Sequence, residues 1–170
     1  MKRNMVFIIL FSVISVFAGH DAAPTNEFVI KGKVKYEIKV TLGDLENYPE
    51  QTVGDIILTN QRGEVKDTIR NLKGVLLKDI LKKAELVADR PKILNEFYFA
   101  CIASDKYKAV FSWNEIFNTD MGNNIFIITE REGKRGKEIK GRILLLSRSD
   151  LVKGRRYIEN LAEIAVSRAE

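Results

Sequence analysis

The chain has 170 residues, 45% of them hydrophobic and 30% charged, with a formal net charge of +5 and a single cysteine. That length fits one domain with a real core, and one cysteine excludes an internal disulfide. The sole histidine is His20; with no CxxC, HExxH or acidic EF-hand loop, the sequence argues against a metal site built from protein ligands and against Ser–His or Cys–His catalysis.

Lys2 and Arg3 precede an apolar run, Met5 to Phe17, and Val16 and Ala18 stand at the −3 and −1 positions of a cleavage site before Gly19. This pattern predicts a signal peptide over residues 1–18, a flexible leader over 19–27 and a single domain over 28–168. The run is about 13 residues long, short for a bilayer span of about 20, and no cysteine follows it to carry a lipid. The expectation is an exported protein, periplasmic or secreted, with no stable membrane insertion after cleavage. Without Lys2 and Arg3 there are 26 basic against 23 acidic residues, a net charge of +3. That mild excess suits a small anionic molecule better than a nucleic-acid backbone, and export points away from nucleic acid as well.

Along the chain, Phe28 to Val40 alternates apolar and polar around Gly32 and predicts two short strands. Thr41 caps a short turn through Leu45. Ile56 to Thr59 reads as a strand, followed by a turn through Gly63. "GVLLKDILKKAEL", Gly74 to Leu86, predicts the clearest helix, with Leu76, Leu77, Ile80, Leu81 and Ala84 on one face. Phe97 to Ala103 is apolar throughout and predicts a central strand covered on both faces; Lys108 to Phe111 is its successor. Ser112 and Glu115 have capping-box spacing. "NIFIITE" and "ILLLS" read as strands around a basic turn, and "YIENLAEIAV" closes the chain with Ile158, Leu161, Ile164 and Val166 inward. The mixture gives an α+β fold with a mixed or antiparallel sheet and short helices.

Cys101 lies inside the apolar run, where a free cysteine behaves as a small hydrophobe. Neither GxGxxG nor GxxxxGK[ST] occurs. Candidate ligand-binding residues are Asp105, Lys106 and Tyr107, in the polar break after the Phe97 strand, and Arg155 and Arg156, which follow Gly154 and can grip an anion. Two readings of these arginines stay open: anion binding, or pairing with Asp150 or Asp105 to pin the closing strand. Trp113 reads as core, and the basic stretch from Arg131 to Arg142 as a solvated hairpin.

"LKGVLLKDILKKAEL", "ASDKYKAVFSWNEI" and "LLLSRSDLVKGRRYIENLAEIAV" follow one another in an order that resembles the oxidoreductase molybdopterin-binding domain, the sulfite-oxidase-like fold, in its small exported stand-alone form. The resemblance covers roughly Phe28 to Val166. It implies molybdopterin or another pterin as cofactor. In catalytic members a cysteine thiolate just after the strand before the Gly-Val-x-Leu segment binds molybdenum. Here that region, "IILTNQRGEV", offers Thr59, Asn60 and Gln61, so Asn60 joins the candidate ligand-binding residues and no catalytic or metal-binding residue is assigned. The resemblance then implies a non-redox binding protein for a small anionic or pterin-like ligand. The alternatives are a molybdopterin-dependent oxidoreductase of sulfite-oxidase type, or an envelope interaction domain with a vestigial site.

Overall fold

Period-two alternation of apolar residues builds most of the architecture. A computed structural model describes residues 23–60 and 62–169; the expected signal peptide lies outside the described residues. The first sheet has the order β2-β1-β10-β5-β6, formed by β1 (Glu27–Gly32), β2 (Ile38–Thr41), β5 (Phe97–Ala103), β6 (Lys108–Ser112) and β10 (Leu161–Arg168). In it β1 and β10 run parallel, while the other neighbours are antiparallel. The second sheet is antiparallel and joins β3 (Glu50–Thr59), β4 (Val65–Leu76) and β7 (Ile125–Arg131), with β8 (Lys134–Arg135) and β9 (Leu144–Ser147) paired to β7. The helices α1 (Leu77–Leu81) and α2 (Trp113–Phe117) are short. This is the α+β fold with mixed and antiparallel sheets. No helix among the described residues is long and apolar enough to cross a membrane.

The second sheet lies between two hydrophobic cores. Val75, Ile125, Ile127 and Leu145 face the first core, which the first sheet and both helices complete. Leu72, Leu76, Phe126, Ile128, Leu144 and Leu146 face the second, closed by Val53, Ile56, Leu58, Ile69 and Ile139. The strands covered on both faces are therefore β7 and β9, whose runs Ile125–Ile128 and Leu144–Ser147 are wholly buried. This corrects the expectation for Phe97 to Ala103. In β5 only Phe97, Phe99, Cys101 and Ala103 are buried, while Tyr98, Ala100 and Ile102 are half-buried on the outer face of the first sheet.

The expected helix from Gly74 to Leu86 is also corrected. Val65 to Leu76 is a strand, and only Leu77 to Leu81 is α-helical. Val75 and Leu76 point into different cores, as a strand requires. Gly74 marks a close backbone approach: a Cβ there would lie 2.7 Å from the Ile127 carbonyl oxygen. The helical rhythm holds from Leu77 onward, where Leu77, Ile80, Leu81 and Ala84 are buried together. The capping box is present, with Ser112 N–H donating to Glu115 Oε2 at 2.7 Å and Glu115 N–H donating to Ser112 Oγ at 3.1 Å. Ile158, Leu161, Ile164 and Val166 are all buried, but the closing strand begins only at Leu161: Ile158 pairs with Leu145 in an isolated bridge, and a bulge between Leu161 and Glu163 turns Leu161 and Ile164 inward together. Ala23 to Asn26, read from sequence as a flexible leader, is tied down: the Ala23 carbonyl accepts from Ser104 Oγ at 2.7 Å and the Asn26 carbonyl from Leu42 N–H at 3.0 Å.

Cys101 stands opposite Ile164 on one side and Ala109 on the other, and burial pushes its thiol up to about 12. Cys101→Ser places a hydroxyl there in an apolar setting, and urea melts should show a loss of about 1–3 kcal/mol. Loss of ligand binding with an unchanged melt would instead make Cys101 a site residue.

Candidate functional site

A cleft of about 560 Å³ opens where the ends of both sheets meet. The end of β3 supplies Leu58, Thr59 and Asn60, the start of β4 supplies Lys66 and Asp67, and the β5–β6 turn supplies Ala103, Asp105 and Tyr107. Arg131 and Lys140 come from the two ends of the basic turn. The segment from Arg148 to Asn160, which links β9 to β10, acts as a strap across the cleft and adds Gly154, Arg155, Tyr157 and Glu159.

The fold thus gathers Asn60, Asp105, Tyr107 and Arg155 from among the sequence candidates, and does not bring Lys106 or Arg156 to the cleft lining. Lys106 is exposed at the left-handed position of its turn, with φ 75°. Asp105 Oδ1 caps that turn by accepting from Tyr107 N–H at 2.8 Å. Asn60 organises the β3–β4 hairpin: its Oδ1 accepts from the N–H groups of Arg62 and Glu64 at 2.9 and 3.0 Å. Sequence reasoning missed Lys66, Asp67, Tyr157 and Glu159, and treated Arg131 and Lys140 as solvated charges. The only signal for Lys66 and Asp67 is their place beside the hairpin turn, where Asp67 pairs with Leu58 and Lys66 falls at the bulge between that pair and Thr59–Val65.

Arg156 holds the strap. Its Nε and Nη2 donate to Asp150 Oδ2 and Oδ1 at 2.7 and 2.6 Å, and Nη1 donates to Glu115 Oε1 at 2.9 Å. The guanidinium also lies 4.4 Å above the Phe111 ring. Ser147 Oγ donates to Asp150 Oδ1 at 2.6 Å. Burial alone would raise the Asp150 carboxyl, but its hydrogen bonds from Arg156 and Ser147 hold it below the usual aspartate value. Burial likewise opposes charge on Glu115, and the hydrogen bonds from Ser112 N–H, Arg156 and Ser112 Oγ outweigh it. Of the two open readings, Arg156 fits the one that pins the chain through Asp150.

Two further contacts seat the strap. Tyr107 Oη donates to the Arg155 carbonyl at 2.6 Å. Gly154 passes so near β3 that a Cβ would lie 2.1 Å from the Thr59 carbonyl oxygen.

The cleft lining carries Lys66, Arg131, Lys140 and Arg155 against Asp67, Asp105 and Glu159. Some of these are committed. Arg131 lies 3.8 Å from Asp67, and the Tyr157 hydroxyl donates to Glu159 at 3.1 Å. Burial is the main cause that pushes the Tyr157 phenol well up, so it stays a neutral donor. Among the described residues, Lys66 and Lys140 are in no ion pair. Thr59 Oγ1 is buried in the cleft wall without a hydrogen-bond partner.

No family model matches the chain, and no curated protein matches it. Among solved structures, the sulfane dehydrogenase SoxCD from Paracoccus pantotrophus shares the fold, with a TM-score of 0.54 at 13% sequence identity over 82% of this chain and 37% of that one. The chain therefore spans little more than a third of that protein, and at this identity the likeness is one of fold alone.

The molybdenum half of the implied cofactor does not fit these residues. A molybdenum centre of this kind takes a soft thiolate from the protein. The cleft offers hydroxyl, amide, carboxylate, ammonium and guanidinium groups, and the chain's one thiol is sealed in the first core with its proton held tightly.

Removing Arg156 leaves Asp150, whose side chain is 9% exposed, without its cation. Arg156→Met should therefore cost about 2–4 kcal/mol at pH 7. Because the folded-state values of Asp150 and Glu115 are depressed, this stabilisation is complete above the ordinary carboxylate values of about 3.9–4.3 and lost as pH falls through the depressed ones. Urea melts at pH 7 and pH 3 should show the gap between wild type and variant narrowing in acid.

Proposed function

We propose that the protein is an exported binding module that holds a small anionic or pterin-like ligand in the strap-covered cleft, without molybdenum redox chemistry. The observation that carries this reading is the pair of ammonium groups, Lys66 and Lys140, left without carboxylates on the lining of a cleft large enough for a cofactor-sized molecule. Elsewhere in the structure Arg135 and Arg156 are matched by carboxylates; these two lysines are not, so an incoming anion meets charge that the protein has not already neutralised.

The remaining lining suits a flat heteroaromatic body. Tyr107 and Tyr157 offer apolar ring faces with polar tips. Asp105 uses Oδ1 in its turn, and Oδ2 serves to accept from an exocyclic amino group. Leu58 and Ala103 add apolar wall. Redox turnover is left out because the position where the resemblance calls for a thiolate holds Thr59 and Asn60. Export rests on the sequence pattern of residues 1–18 alone, and Edman sequencing of the mature protein should begin near Gly19.

The test is a thermal-shift and native mass spectrometry screen with pterin phosphates, inorganic phosphate and sulfur oxyanions. A ligand at about 100 times its Kd should stabilise the folded protein by about 2.7 kcal/mol. Lys66→Gln with Lys140→Gln should abolish that shift while leaving the ligand-free melting temperature unchanged, because neither lysine holds the fold together. If no compound stabilises the wild type, the interaction-domain reading takes precedence; stoichiometric molybdenum in protein purified from its own compartment would restore the redox reading.

A further inference from the structure

A second cleft, of about 490 Å³, opens on the seam between the two cores. Its floor joins Leu45, part of the first core and 2% exposed, to Ile128 and Ile139, part of the second and 1% and 3% exposed. Its walls come from different sheets: the 3-10 turn Asp44–Asn47 follows β2, and the 3-10 turn Gly136–Glu138 follows β8. The floor is therefore rigid and apolar, and the walls are polar.

The polar groups divide into fixed and unfixed. Glu50 Oε1 accepts from Thr129 Oγ1 at 2.6 Å and from Arg135 Nη1 at 3.0 Å, and Oε2 accepts from Arg135 Nη2 at 2.9 Å. Arg135 Nη2 also lies 2.7 Å from Glu130, which holds Lys73 at 3.0 Å. This chain of alternating charges is neutral as a whole and stiffens one side of the cleft. Glu46, on the first wall, and Lys137, on the second, are in no ion pair among the described residues. The charges on the lining balance, with Glu46 and Glu50 against Arg135 and Lys137, whereas the strap-covered cleft has a cationic excess.

An apolar floor between one uncommitted carboxylate and one uncommitted ammonium complements a molecule that carries the opposite arrangement. We propose that this second cleft binds a dipeptide-sized zwitterion with an apolar side chain. The side chain rests on Leu42 and Tyr48, backed by Leu45, Ile128 and Ile139, the terminal ammonium faces Glu46, and the terminal carboxylate faces Lys137. The cleft volume lies within the range usual for small-ligand pockets, about 300–1,000 Å³, and the balanced lining charge matches a ligand with no net charge. This site is independent of the ligand of the first cleft.

The experiment titrates the full chain with the dipeptide Leu-Phe, followed by calorimetry and by amide NMR. Amide shifts should change in the segments 42–50 and 128–139 and stay constant at Lys66 and Arg155. The N-acetylated and C-amidated forms should each bind about tenfold more weakly, the loss of one charged contact. Glu46→Gln should reproduce the loss seen on acetylation and Lys137→Gln the loss seen on amidation, both with an unchanged melting temperature. The proposal is overturned if Leu-Phe does not bind at millimolar concentration, if the capped forms bind as well as the free one, or if the shifts fall on the strap-covered cleft.

Discussion

The guanidinium of Arg156 joins three parts of the chain that are distant in sequence. It binds Asp150 at the start of the strap, Glu115 in the capping box of α2, and the ring of Phe111 on β6. Each partner is fixed by another interaction: Asp150 by Ser147, Glu115 by Ser112, and Phe111 by burial in the first core. The strap inherits this order. Its residues 154–159 supply Gly154, Arg155, Tyr157 and Glu159 to the cleft, so the cleft exists only while the strap is held. A part-buried ion network of this kind adds little compared with a well-packed apolar alternative, but it is costly to break. Its effect here is positional: it fixes where a thirteen-residue connection lies.

The same contacts divide the basic residues into two classes. Arg156, Arg135 and Arg168 are neutralised by carboxylates within hydrogen-bonding distance. Lys66 and Lys140 face a cleft without such partners among the described residues. Net charge could not make this distinction, because it counts both classes alike. A lysine on a cleft wall acts as an uncommitted point charge, whereas an arginine bound bidentately is part of the framework. Arg155 and Arg156, adjacent in sequence, differ in place: Arg155 lines the cleft, and Arg156 pins the strap through Asp150.

Much of the fold was legible because alternation and capping are local. The closing strand, the capping box at Ser112 and the runs around Ile125 and Leu144 depend on near neighbours. The long strand β4 was not legible, for a reason the register makes plain. Ile69 and Leu72 both enter the second core, yet they are separated by an odd interval. Bulges in the β3–β4 pairing around Gly54, with Asn71 at φ 52° and its N–H bound to Asp55 Oδ1, absorb the extra residue. A two-residue rhythm interrupted in this way reads as no strand, and the leucines after Gly74 then read as a helix. Asp105, Tyr107 and Arg155 were legible as polar breaks next to strands. Lys66 and Lys140 were not, since nothing local distinguishes a lysine on a cleft wall from one on a solvated turn.

The two cores also explain how this architecture can be kept while its chemistry changes. Leu72, Phe126, Ile128 and Leu144 belong to the second core, and Phe99, Phe111 and Ile164 to the first. The cleft residues Asn60, Lys66, Asp105 and Arg155 contribute to neither. Burial of apolar area, which supplies most of the folding free energy, is therefore separate from these polar side chains, while Leu58, Ala103 and Tyr157 serve both core and cleft. At the end of β3, Asn60 sits on the hairpin turn and outside both cores, so a change of side chain there costs the cores little. The reverse does not hold for the strap: Gly154 against the Thr59 carbonyl and Arg156 in its carboxylate pair leave no room for change without moving the cleft wall. The surface that selects a ligand is free to vary, and the framework that shapes the cleft is not.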